Sequence, residues 1–124
     1  MKVTRTFSFS AAHHLTDYHG ACERPHGHTY RLAVTVQGAV RDDGLVIDFV
    51  EMKKIVSEKI LSKLDHTDLN NTFKNPSAEH IVTWIWEQLT SAFSTVTLYE
   101  VQLWEGDNTS VTYDGNGTKS FGHG

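Results

Sequence analysis

The residues in this chain best suited to chemistry are histidines crowded around a single cysteine. Five of the eight histidines fall between residues 13 and 28, and "CERPHGHTY" places Cys22 just before the pair His26 and His28. Slightly upstream, "FSAAHH" supplies His13. Neutral imidazole is a ligand well suited to zinc, and three protein ligands leave a fourth position open for a substrate. These residue types indicate a catalytic metal site, provided that the fold brings three imidazoles together.

Alternation of polar and apolar residues predicts two strands that meet this condition. The odd positions of 3–13 and the even positions of 26–36 are mostly apolar, which is the period of half-buried strands. If the two strands pair antiparallel, His13, His26 and His28 gather at the same end of one sheet face. A single buried histidine is more often a hydrogen-bonded core residue, but three at one place favour a metal.

The neighbour of His13 is the weaker candidate for a ligand. His14 points to the opposite face of the predicted strand, although a β-bulge at residues 11–12 would reverse the choice. The strand phase therefore selects His13.

Cys22 has three readings of about equal weight from its position alone. A fourth-ligand role would close the metal site, since structural zinc sites carry four protein ligands. A free thiolate beside a cation would instead act as a base or nucleophile, with its pKa lowered by the nearby charge. The third reading is a small buried residue, the commonest fate of a lone cysteine.

Two acidic residues also draw notice. Asp65 precedes His66 just past the first predicted helix, where a carboxylate can orient an imidazole, although a polar helix end explains the pair slightly better. Glu105 ends the apolar face of a predicted strand, where a carboxylate is out of place unless it is paired or bound. It is suited to accept two hydrogen bonds from an amidine-like ligand edge, and a solvated strand end is an equal alternative.

Length and composition limit the class of protein. We expect 124 residues to form one domain, 1–124, with a glycine-rich and mobile tail from about 115 to 124. The formal net charge of −4, without a run of basic residues, argues against nucleic acid as a partner. One cysteine forms no internal disulfide, and neither a signal peptide nor a membrane span is apparent, so we expect a cytoplasmic protein.

The remaining elements predict an α+β fold. Asp48 and Ser77 cap two amphipathic helices, whose apolar positions run to Leu64 and Phe93, and two further strands follow near 96–105 and 110–113. The order is that of a four-stranded antiparallel sheet with two helices on one face. Such a sheet has open edges and one uncovered face, so we expect a homo-oligomer.

Five segments together resemble the 6-pyruvoyl-tetrahydropterin synthase family. The likeness runs from about Thr6 to Tyr113, and the combination of C-x-x-x-H-G-H with the L-D-H and late glutamate elements is more specific than any one of them. The segments are "FSAAHHL", "CERPHGHTY", "LDHTDLNN", "NPSAEHIVTWIWEQL" and "VQLWEGDNTSVTY".

Within that family, the three residues between Cys22 and His26 look like the bacterial and archaeal 6-carboxytetrahydropterin synthase branch of the queuosine and 7-deazapurine pathway. The animal-type enzymes have a longer gap, and a third branch has glutamate in place of the cysteine. The resemblance implies a tunnel fold, in which the sheets of three subunits close into a barrel. Two trimers would stack as a hexamer with active sites between subunits.

The resemblance also implies a role for each candidate residue. One zinc ion per subunit would be bound by the ligand set His13, His26 and His28. The proton-transfer group would be Cys22, assisted by Asp65 and His66, and the pterin ring would be anchored by Glu105. The resemblance thus chooses the base among the three readings of Cys22 and reverses the preference for a polar helix end at Asp65 and His66.

The implied substrate is 7,8-dihydroneopterin triphosphate, which would be converted to 6-carboxy-5,6,7,8-tetrahydropterin with release of acetaldehyde and triphosphate. The nearest alternative is the animal-type reaction, which eliminates triphosphate without cleaving the side chain. An alternative of another class is a zinc-stabilised binding module without catalysis.

Overall fold

The computed structural model describes residues 1–13 and 26–116, and at residues 26 and 27 it describes the backbone alone. Five strands form one sheet in the order β3-β1-β2-β4-β5. All neighbouring pairs are antiparallel except β3, which runs parallel to β1. The strands are β1 (Lys2–His13), β2 (His26–Gln37), β3 (Thr67–Asp68), β4 (Thr97–Glu105) and β5 (Thr109–Tyr113).

The helices pack on one face of this sheet, so the predicted α+β class is confirmed. Asp48 begins helix α1 (Phe49–Val56) by accepting a hydrogen bond from the amide of Val50 at 2.8 Å. The helix continues through one π-helical stretch, Ser57–Leu61, into the short α2, Ser62–Leu64.

Helix α3 (Ala78–Leu89) begins at Ser77, whose hydroxyl accepts a hydrogen bond from the amide of His80 at 3.2 Å. The predicted continuation to Phe93 is wrong, because the chain turns after Thr90, whose N–H bonds to the carbonyl of Trp86. Phe93 is nevertheless buried, packing from the turn rather than from the helix. Its apolar character therefore marked the core and not the helix length.

The fifth strand is an addition to the four that the pattern predicted. Residues 65–76 read as a loop, but two of them form β3 and Leu69–Asn71 form a 3-10 turn. A two-residue strand shows no alternation in sequence. It forms because the main chain beside it is attached to β1, where the amide of His66 donates to the carbonyl of Ser10 at 2.6 Å.

The buried face of β1 determines where the candidate site lies. Phe7, Phe9, Ala11 and His13 are all less than a tenth exposed, and the residues between them face outward. The apolar core therefore continues along the strand until its last residue, where a histidine takes the place of an apolar side chain. At this end of the sheet a polar side chain is therefore part of the buried core.

Two further features bear on the predictions. The sheet does not close on itself, so β3 and β5 are its edges. No helix in the described part of the chain is long and apolar enough to cross a membrane. The predicted mobile tail falls mostly on residues 117–124, which lie outside the description, and the single-domain assignment stays a prediction.

Candidate functional site

The register of β1 and β2 brings two of the predicted metal ligands together. Ala11 pairs with His28, so the next inward-facing residue of β1, His13, lies diagonally across from His28. Their ring centroids are 4.7 Å apart. The backbone of His26 lies directly opposite His13, and the side chain of His26 is outside the described part of the structure.

The neighbouring strand adds a carboxylate to the two imidazoles. Glu105, the last residue of β4, pairs with Tyr30 of β2. Its Oε1 lies 3.4 Å from Nε2 of His28 and 3.9 Å from Nε2 of His13. One ligand atom from each of the three residues falls within 4.8 Å of the others.

This donor set fits a divalent transition metal. Imidazole nitrogen and carboxylate oxygen are the ligands of catalytic zinc sites, and they converge here at metal-binding separations. The side chain of His13 is 2% exposed, whereas those of His28 and Glu105 are 24% and 26% exposed. The cluster is therefore closed on the core side and open on the side of His28 and Glu105, where a substrate has access.

A buried tyrosine supports the cluster, and the sequence analysis did not assign it any role. The hydroxyl of Tyr30 is hydrogen-bonded to Nδ1 of His13, and its ring stacks on Phe9 at 5.0 Å between centroids. Burial, with a smaller contribution from the charge of Glu105, raises the pKa of Tyr30 above its ordinary value. The available signal was its place on the apolar face two residues from His28, since a buried tyrosine hydroxyl needs a partner.

The structure joins Asp65 to His66, in the loop that leaves the first helical segment. Oδ2 of Asp65 is 3.1 Å from Nδ1 of His66, and Oδ1 accepts a hydrogen bond from the amide of Ser10 at 2.9 Å. The carboxylate therefore links the imidazole to strand β1. His66 is 82% exposed, which leaves most of its ring available to a ligand.

The backbone of His66 has an unusual conformation that supports this arrangement. Its φ of 59° is uncommon for a residue other than glycine. The hydrogen bond from its amide to the Ser10 carbonyl holds the turn in place. His66 and His28 both line an open cleft of about 580 Å³ at the end of the sheet. The structure thus places the Asp65–His66 pair and the histidine cluster at one cleft.

Cys22 and His14 lie outside the described residues. The roles predicted for Cys22 and the exclusion of His14 as a ligand therefore rest on the sequence. For His13 itself, the buried position on the inner face of β1 agrees with the strand phase.

Curated relatives of this chain carry the names of more than one pterin enzyme. A "6-pyruvoyl tetrahydrobiopterin synthase" of Dictyostelium discoideum is 34% identical over 129 residues, covering 91% of this chain and 95% of the relative. A "Putative 6-carboxy-5,6,7,8-tetrahydropterin synthase" of Archaeoglobus fulgidus is 40% identical over 82 residues, covering 66% of this chain and 70% of the relative.

The fold is also similar to that of a pterin enzyme of known structure. The 6-pyruvoyl tetrahydropterin synthase of Caenorhabditis elegans superposes with a TM-score of 0.83 at 29% identity, covering 93% of this chain and 95% of the other. The family model described as "6-pyruvoyl tetrahydropterin synthase" matches residues 2–116. The chain belongs to the 6-pyruvoyl tetrahydropterin synthase family, whose tunnel fold it shares.

Proposed function

We propose that this protein is a zinc-dependent lyase that converts 7,8-dihydroneopterin triphosphate and one water molecule to 6-carboxy-5,6,7,8-tetrahydropterin, acetaldehyde and triphosphate. The observation that carries the proposal is the convergence of His13, His28 and Glu105 at the open end of the sheet, in a chain of this family. Production of the carboxypterin would supply queuosine and 7-deazapurine biosynthesis in the cytoplasm.

The metal would be held by His13, His26 and His28. For His13 and His28, the support is the 4.7 Å separation of their ring centroids, and for His26 it is the backbone register opposite His13. A zinc ion bound there would act as a Lewis acid on the side-chain hydroxyls of the substrate.

Proton transfer would be the task of three side chains. The thiolate of Cys22 removes a proton on one face of the substrate, and His66 exchanges a proton on the other. Asp65 holds the ring of His66 in one orientation, as the 3.1 Å separation between its Oδ2 and Nδ1 of His66 allows. These transfers move the double bonds between the pterin ring and its side chain before the side chain is cleaved.

Glu105 would recognise the pterin ring. A carboxylate accepts two hydrogen bonds from an amidine-like edge, and Glu105 lines a small cavity of about 210 Å³ together with the start of α3 and strand β5. Because the same carboxylate lies 3.4 Å from His28, a ring bound by Glu105 would have its side chain close to the metal ligands. Glu105 would thus hold the pterin ring at a fixed distance from the metal ligands.

The proposal also chooses between two products, the carboxypterin and the pyruvoyl pterin. The three-residue gap between Cys22 and His26, and the Archaeoglobus relative, favour the carboxypterin. The Dictyostelium relative, which covers more of the chain, favours elimination of triphosphate to a pyruvoyl product as the second candidate. A zinc-stabilised binding module without catalysis is the alternative of another class.

A product assay separates these functions. Incubation of the purified, zinc-loaded protein with 7,8-dihydroneopterin triphosphate is expected to yield acetaldehyde and the carboxypterin in equal amounts, measured by aldehyde trapping and by mass spectrometry. A pyruvoyl product without acetaldehyde would select the second candidate. Absence of any turnover, with zinc bound, would support the binding module.

Replacing the carboxylate that orients His66 tests the proton-transfer assignment. Asp65→Asn is expected to lower kcat by roughly ten- to a hundredfold, the usual cost of losing a residue that orients a functional histidine. The amide of asparagine keeps an oxygen for the Ser10 amide but loses the carboxylate charge that faces Nδ1 of His66. Asp48→Asn is the matched control, because Asp48 caps helix α1 by accepting a hydrogen bond from the amide of Val50, and its kcat should equal that of wild type. Equal kcat in wild type and Asp65→Asn would contradict the assignment.

The oligomer also belongs to the proposal. The sheet has unpaired edges at β3 and β5, which is consistent with sheets that join between subunits into a barrel. We propose a homohexamer made of two trimers, with pterin sites between subunits and no nucleic-acid or membrane partner.

A further inference from the structure

We propose that Tyr30 is a positioning residue for the metal site, which fixes the ring orientation of His13 so that Nε2 faces the metal. The inference rests on the proposed metal function and deepens it. The carrying observation is the hydrogen bond between the Tyr30 hydroxyl and Nδ1 of His13, formed by two residues that are 0% and 1% exposed.

The hydrogen bond determines which nitrogen of His13 faces the other candidate ligands. When one ring nitrogen of a histidine binds a metal, the other is protonated and donates a hydrogen bond to a nearby acceptor, which sets the orientation of the ring. In this structure Nδ1 is engaged by Tyr30, while Nε2 lies 3.9 Å from Glu105, on the side of His28. The nitrogen that faces the other ligands is therefore Nε2, and Tyr30 contacts Nδ1 on the other side of the ring.

A hydroxyl suits this position better than a carbonyl would. Tyrosine oxygen can donate or accept, so it can satisfy Nδ1 in either tautomer of the ring. In the metal-free protein the hydroxyl can donate a hydrogen bond to Nδ1, and in the metal-bound protein it would accept a hydrogen bond from the Nδ1–H group. His13 thus has a polar partner in both states despite its burial.

Tyr30 is itself held firmly, as a positioning residue must be. It lies on the central strand of the three that build the site, opposite Phe9 of β1 and opposite Glu105 of β4. Its ring is nearly parallel to that of Phe9, with an interplanar angle of 11°. The register of three strands therefore sets the position of the hydroxyl, and through it the plane of the His13 ring.

Tyr30→Phe tests the inference because it removes only the hydroxyl and keeps the stacked ring. The zinc dissociation constant of the full-length protein, measured by competition with a chromophoric chelator, is expected to rise roughly ten- to a hundredfold. The visible spectrum of the cobalt-substituted protein is expected to change as well, because the spectrum reports ligand geometry. Tyr113→Phe is the matched control. Tyr113 lies in strand β5 and packs edge-on against Trp86 of helix α3, so removal of its hydroxyl should change neither the zinc dissociation constant nor the cobalt spectrum.

The outcomes separate this inference from the proposed function. If wild type binds zinc and Tyr30→Phe binds it equally well with the same cobalt spectrum, the inference is overturned and the metal site stands. If wild type binds no zinc, the metal function fails and the role of Tyr30 fails with it. Nitrogen NMR of zinc-loaded wild type needs no variant: it should show His13 protonated at Nδ1, and coordination through Nδ1 would overturn the inference.

Discussion

His28→Ala is expected to release the metal and to lower kcat/KM by about three orders of magnitude while the protein stays folded. The loss corresponds to ~4 kcal/mol of transition-state stabilisation, within the several kcal/mol that Lewis-acid catalysis supplies. The fold should survive because His28 is near the start of β2 and its side chain is 24% exposed. Truncation there enlarges a cleft that is already open to solvent instead of creating a closed cavity.

His13→Ala should lose the metal too, but with a cost to stability that His28→Ala does not have. The side chain of His13 is 2% exposed and is hydrogen-bonded to Tyr30. Its removal leaves a cavity and a buried hydroxyl without its partner, which together should lower the free energy of unfolding by about 3 kcal/mol. Chemical denaturation of the metal-free proteins measures this difference, because the metal then contributes to neither variant.

Glu105→Gln is the control that separates metal binding from substrate binding. If Glu105 recognises the pterin ring, this variant keeps its zinc content and loses affinity for the substrate, seen as a raised KM. Zinc content is measured by elemental analysis after dialysis against a weak chelator. Stoichiometric zinc in His28→Ala would contradict the proposed ligand set, and loss of zinc in Glu105→Gln would place the carboxylate among the ligands.

Cys22→Ala should keep the zinc and the fold but lose turnover by roughly 10²–10⁴-fold, the range for a positioned general acid or base. The expectation follows from the assignment of the thiolate as the base, since alanine has no group that accepts a proton. Single-turnover kinetics with dihydroneopterin triphosphate measures the chemical step directly, and zinc content and the circular dichroism spectrum are determined on the same samples.

The rival role of Cys22 gives the opposite pattern. A fourth metal ligand would close the coordination shell, and its removal would release zinc and destabilise the domain. Cys22→Ser adds a useful comparison, because a hydroxyl preserves the size of the side chain but is a far weaker base than a thiolate at neutral pH. Near wild-type turnover in either variant would exclude the catalytic role.

Much of the fold follows from short stretches of sequence. The alternation in residues 3–13 predicts both strand β1 and the inward direction of His13, because the side-chain period of a strand depends only on adjacent positions. Asp48 and Ser77 likewise mark the starts of helices through hydrogen bonds to amides two or three residues away. The C-x-x-x-H-G-H element and the late glutamate also indicate the family.

The contacts that make the site specific join residues far apart in the chain. Seventeen positions separate Tyr30 from His13, and fifty-five separate Asp65 from Ser10. The approach of Glu105 to His28 and the two-residue strand β3 likewise depend on how distant segments pair. The sequence alone thus determined the strands, the helix starts and the family, since these depend on neighbouring residues. Only the tertiary structure decided which polar groups meet, because strand register and loop attachment bring together groups that no local pattern connects.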